Sequence, residues 1–91
     1  MNAPAPRPFR LHVADDVLRD LRERLARVRW PDEPPLEPWS TGSSVAYMKA
    51  LVAWWRDGFD WRAQEAALNR FSHFKVPLAG IDLHFIHEQG Q

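Results

Sequence analysis

Five tryptophans and five phenylalanines in a chain of 91 residues are the feature that most limits what this sequence can fold into. Each large ring is stabilised by burying ~150–250 Å², and a domain of this size has too thin a core to hide all ten. Either some of them form a platform for a ligand, or they dock on protein outside this chain. No covalent staple supplements the core. The absence of cysteine excludes disulfides and thiolate metal sites and is compatible with a reducing cytoplasm.

Charge narrows the classes of partner. Twelve basic residues balance twelve acidic ones, so no long-range field draws the chain to nucleic acid or to an anionic membrane. Ten of the basic residues are arginine, a bias that a GC-rich bacterial genome would explain as readily as any function. The apolar runs are a few residues long, far below the roughly 20 needed to span a bilayer. No basic segment followed by an apolar one opens the chain. The expectation is a soluble, cytoplasmic protein without nucleic-acid or membrane partners.

Residues 1–8, rich in proline and alanine, read as a flexible leader. Phe9, Leu11 and Val13 then alternate with Arg10 and His12, the period of a short strand with Phe9 turned inward. Asp15 or Asp16 is placed to cap a helix striped by Leu18, Leu21, Leu25 and Val28. Its outer face pairs Asp15 with Arg19, Asp20 with Arg24 and Glu23 with Arg27. Trp30-Pro31 should end it, because the residue before proline avoids the helical region. Four prolines and Trp39 make 31–42 a loop of polyproline character, long enough to be functional or to lie across a neighbour.

Ser43 or Ser44 can cap a second helix with apolar positions Val45, Met48, Leu51, Val52, Trp55 and Phe59, stopped by Gly58. A third helix begins at Asp60 and carries Trp61, Leu68 and Phe71 on its packing side. The tight turn between the two suggests an αα-hairpin. After Phe71 the period changes to two. Phe74, Val76 and Leu78 alternate, Ala79-Gly80 turns the chain, and Ile81, Leu83 and Phe85 alternate again. Pro77 cannot donate to a ladder, so it must lie at an edge or a bulge. An isolated hairpin is marginal in water, and the chain stops where a sheet should begin.

Few residue constellations suggest chemistry. His84 and His87 tempt a metal reading, but positions three apart on a strand face opposite sides. Asp82 and His84 share a strand face and could be a carboxylate orienting a base; a polar solvent face of an edge strand accounts for them better. Gly42-Ser43-Ser44 lacks the second glycine of a nucleophile elbow and has no strand before it, so helix capping explains those serines. The four glycines are too scattered for a phosphate loop, and no cofactor motif occurs. Trp30, Trp39, Trp54, Trp55 and Trp61 could stack sugars or single-stranded nucleic acid. Trp55 and Trp61 fall on expected core faces, whereas Trp54, beside Trp55, must point partly away. Trp54 is the foremost candidate for docking.

From Pro8 to about His87 the chain resembles the epoxide hydrolase N-terminal family in the order and spacing of three blocks. These are PFRLHVADDVLRDLRERLARVRWPDE, ending in Arg29-Trp30-Pro31-Asp32; YMKALVAWWRDGFDWRAQEAALNRF, with Asp60-Trp61-Arg62; and the hairpin ending in His84-Phe85-Ile86-His87. It departs at Ala14 and Ser72, where the family often has proline, and at Val28, where threonine is frequent.

The resemblance implies an α+β segment of three helices, 9–71, leading into a hairpin, 72–91, that starts an α/β-hydrolase sheet. It also implies a catalytic domain in which an aspartate attacks an epoxide carbon, lid tyrosines hold the ring oxygen and a histidine activates water. All of those residues, and the His-Gly oxyanion motif, would lie beyond Gln91; Tyr47 does not match a lid tyrosine. The chain is therefore expected to carry no catalytic, cofactor-binding or metal-binding residue and to be inactive alone. Its partners would be the rest of its own hydrolase, a small epoxide for the parent enzyme, and a second copy if exposed apolar surface drives association. Two alternatives stay open. One is a free-standing aromatic-rich interaction module, and the other is a parent that catalyses a different reaction of the superfamily.

Overall fold

A computed structural model of the chain describes residues 4–91. It contains β1 (Arg7–Phe9), α1 (Asp15–Ala26), α2 (Val45–Asp57), α3 (Trp61–Leu68), β2 (His73–Leu78) and β3 (Ile81–Ile86). The fold is α+β, as expected. Two compact units divide it: residues 13–59, holding α1 and α2, and the remaining described residues, holding α3 and the three strands.

In the helical unit α1 lies against α2. The expected stripe is the inward one, with Leu25 buried and Leu18, Leu21 and Val28 half-buried. Two boundaries differ from the sequence reading. Ala14 is the N-cap, so Asp15 and Asp16 fall inside the first turn, where they complement the positive end of the dipole instead of capping it. The helix also stops at Ala26, four residues before Trp30, with the Arg27 N–H bonded to the Arg24 carbonyl at 3.1 Å. The chain then runs extended, so Val28 and Trp30 are both half-buried while Arg29 is exposed. Proline therefore acts on a chain that has already left the helix. On the outer face Asp20 and Arg24 pair at 2.9 Å.

Residues 31–44 are irregular, as the prolines dictate. Trp39 sits at φ 73°, a left-handed conformation that a bulky residue adopts at a cost, and its ring lies 5.2 Å from that of Tyr47. The buried Ser44 hydroxyl caps α2 by accepting from the Tyr47 N–H at 3.3 Å. The Gly58 N–H closes the helix on the Trp54 carbonyl at 2.6 Å. The pairing of α2 with α3 suggested by the tight turn falls across the boundary between the units.

In the second unit Asp60 caps α3 by accepting from the Ala63 N–H at 3.2 Å. The inward side of this helix is polar, not the expected Leu68 and Phe71, both of which are exposed. Glu65, only 6 % exposed, accepts from the Trp61 indole at 3.1 Å and from Arg62 at 2.8 Å. Because those bonds replace water, the carboxylate can be buried and the helix rotates to bury it. Asn69 follows the same logic at the helix end. Its side chain accepts from the Leu11 N–H at 2.9 Å and donates to the Leu11 carbonyl at 2.7 Å, standing in for a ladder partner.

The strands form one antiparallel sheet in the order β1-β2-β3. β1 starts at Arg7, within the proline-rich stretch, and pairs Arg7 with Lys75 and Phe9 with His73. The register of β2 with β3 sets Lys75 opposite His84 and Pro77 opposite Asp82. Pro77 lies past the end of β1, so its missing donor faces an open edge. Ala79 and Gly80 both have positive φ, 49° and 82°, the signature of a type I′ hairpin turn.

Candidate docking surfaces and polar clusters

A strand alternates its side chains, so the hairpin presents two faces of different character. One is apolar: Phe74 and Phe85 stack across the strands at 5.7 Å between centroids, with Val76, Leu78, Ile81 and Leu83 beside them. Leu78, Ile81 and Leu83 are exposed. The other face is polar and aromatic. Arg7 bridges to Asp82 at 2.5 Å, and the Lys75 ammonium lies 4.1 Å from the centre of the Phe9 ring.

Asp82 is therefore engaged by Arg7, not by His84, and the carboxylate–base pairing weighed from the sequence is not what this face builds. His84 instead bonds to His73, 2.9 Å from Nε2 to Nδ1, and meets the Phe9 ring edge-on at 5.2 Å. Nothing in the local sequence pattern marks His73. Its signal was the i, j−2 diagonal that the hairpin register creates with His84. His87 lies beyond the end of β3, and its backbone N–H donates to the Ser72 carbonyl at 3.0 Å. Among the described residues no group of three or more His, Asp or Glu side chains converges as metal ligands would.

The helical unit has an unpartnered surface of its own. Tyr47, Leu51, Trp54 and Trp55 recur at i, i+4, i+7 and i+8, which is one stripe of α2, and all four are exposed. Trp54 points away from the helix pair as expected and is 56 % exposed, its ring 5.4 Å from Phe59. Leu51 and Trp55, placed on the core face by periodicity, are exposed as well, whereas Met48 and Val52 of the same helix are half-buried. Trp61 is half-buried through its bond to Glu65, and Trp30 is half-buried beside Val28. The five indoles thus form no common platform within either unit.

A shallow cavity of about 230 Å³ between α1 and α2 is lined by Leu25, Val28, Trp30, Lys49, Val52 and Arg56 among others. Arg56 is held by Asp57 through two bonds of 3.0 and 2.9 Å. That pairing, chiefly its hydrogen bond, holds the Asp57 carboxyl below its usual range and raises the Arg56 guanidinium. No helix among the described residues is long and apolar enough to cross a membrane.

The chain can now be set against known proteins. The family described as "Epoxide hydrolase N terminus" matches residues 6–91. Epoxide hydrolase 1 of Sus scrofa is 40% identical over 83 residues, which is 89% of this chain and 18% of the pig protein. The crystal structure of juvenile hormone epoxide hydrolase from the silkworm Bombyx mori superposes with a TM-score of 0.81 at 25% identity, covering 91% of this chain and 22% of that one. The Aspergillus niger epoxide hydrolase structure gives 0.76 at 28% identity, over 90% and 22%. The chain spans about a fifth of the length of the curated relatives it matches. A family match over residues 6–91, with a backbone that superposes on solved epoxide hydrolases, leads to one conclusion: this chain belongs to the epoxide hydrolase N-terminus family.

Proposed function

We propose that the chain is the N-terminal segment of a longer α/β-hydrolase that opens small epoxides to diols through an aspartyl ester, and that its work is to pack on the catalytic domain. In this reading 72–91 begins the catalytic sheet, 9–71 covers that domain's surface, and every reacting residue lies outside the chain. The observation that carries it is the poverty of the core. Leu25, 9 % exposed, is the single buried hydrophobic residue among those described, while an aromatic stripe on α2 and an apolar hairpin face stand uncovered. A helix that is apolar beyond one stripe belongs inside a larger assembly. The lack of cysteine fits a cytoplasmic enzyme.

The test is turnover of a small aryl or alkyl epoxide by the chain alone, by the longer protein, and by the longer protein without residues 1–71. The expected result is diol from the longer protein only. Turnover by the chain alone, or full turnover and unchanged stability after deletion, contradicts the proposal. A folded chain with no longer parent would favour the free-standing interaction module.

A further inference from the structure

The least expected feature of the strand unit is a chain of hydrogen bonds through two imidazoles. His73, 5 % exposed, places Nε2 2.6 Å from the Leu68 carbonyl at the end of α3 and Nδ1 2.9 Å from Nε2 of His84 on β3. The ring planes lie within 12° of each other with centroids 5.1 Å apart. That spacing is what an edge-to-edge bond between coplanar rings requires, so the contact is a hydrogen bond and not a face-to-face stack. Phe9 of β1 packs edge-on against His84, which stays exposed. The pair thus ties the end of α3 to all three strands.

The donors and acceptors fix the protons. A carbonyl oxygen only accepts, so His73 carries its proton on Nε2 and leaves Nδ1 as a lone pair. His84 must then donate from Nε2, and its own Nδ1 is bare. We propose that this pair is a proton-counting latch, which tolerates one added proton and opens on the second. The first proton goes to His84 Nδ1 and leaves both bonds intact, with the one to His73 now charge-assisted. The second has only His73 Nδ1 to bind, and it sets two N–H groups and two cations face to face across 2.9 Å. His84 reaches solvent, but His73 is buried and no anionic side chain compensates it. Among the described residues neither imidazole is bonded to a carboxylate: Asp82 is taken by Arg7, Glu65 by Trp61 and Arg62, and Glu88 by the Ser72 N–H. Lys75, the other charge on this face, is a cation.

In the unfolded chain both imidazoles take protons freely. With its latch closed the folded state holds one proton fewer, so the latch's stabilisation is present near neutral pH and is lost when the second proton binds.

The test is nitrogen-detected NMR on the 91-residue chain, titrated from about pH 7.5 to about pH 5, together with the melting temperature of wild type and His84→Gln. The glutamine amide can donate to His73 Nδ1, or turn and accept from it. At the upper pH both histidines should carry their proton on Nε2. On acidification His84 Nδ1 should protonate while the β-sheet amides stay dispersed, and His73 Nδ1 should protonate only as that dispersion disappears. The wild-type melting temperature should fall by at least ~5 °C more than that of His84→Gln over this range. Two imidazolium rings in a still-folded sheet, a His73 proton on Nδ1 at the upper pH, equal losses in the two proteins, or no folded signal at about pH 7.5 would each overturn the latch.

Discussion

Trp54 offers the sharpest separation between a self-contained domain and a docked one. Its indole is 56 % exposed and touches Phe59 within the helical unit. A tryptophan side chain offers up to ~250 Å², so at most about 140 Å² is open to solvent, worth roughly 3.5 kcal/mol if fully covered at ~25 cal/mol per Å². In the isolated chain Trp54→Ala gives up the ring contact with Phe59 and little else, and the cost should stay near ~1 kcal/mol. In the longer protein the same change removes the area covered by the catalytic domain and should cost a further ~2–3 kcal/mol. The assay is urea unfolding of both proteins with and without the substitution, read by circular dichroism. Equal costs in the two settings would refute the reasoning, because they would mean that nothing covers Trp54.

Three further outcomes follow from individual contacts. Asn69→Ala removes both bonds to the Leu11 backbone and should cost about 1–3 kcal/mol, with faster hydrogen exchange at the Leu11 amide as its local signature. Ala79→Asn should raise the melting temperature by a few degrees, roughly 0.5–1 kcal/mol, since asparagine tolerates the positive φ that alanine holds at a cost. The Asp57 carboxyl, held low chiefly by its hydrogen bond to Arg56, should titrate below the ordinary carboxylate range in a carbon-detected NMR titration and return to it in Arg56→Gln. Because its folded value is depressed, any stability it lends is present near neutral pH and fades as pH drops below about 4; full exposure keeps that effect small.

The sequence made the α1 stripe, the caps at Ser44 and Asp60, the hairpin and its turn legible because each rests on local periodicity or on backbone chemistry. What it hid were choices made by long-range partners. Leu68 and Phe71 looked like the packing side of α3, yet Glu65 and Asn69 face inward because Trp61, Arg62 and the Leu11 backbone lie within bonding reach. Periodicity ranks residues by hydrophobicity and cannot see a satisfied carboxylate. The first strand was legible only in part: the alternation of Phe9, Leu11 and Val13 pointed to one, but it spans Arg7–Phe9, inside the proline-rich stretch, because that is where the register with β2 falls. The His73–His84 bond joins residues eleven apart whose diagonal exists only once the hairpin register is set. Trp55 failed for a different reason. It lies where a core residue should, yet it stays exposed because nothing among the described residues covers it.

The account's central claim is that these uncovered surfaces belong against a hydrolase domain. The most direct measurement is sedimentation of the 91-residue chain mixed with the separately produced remainder of the longer protein, each shown to be folded by circular dichroism. A one-to-one complex that weakens at least tenfold with Trp54→Glu, roughly 1.4 kcal/mol or more, is the predicted result. Two folded proteins that sediment independently would contradict it.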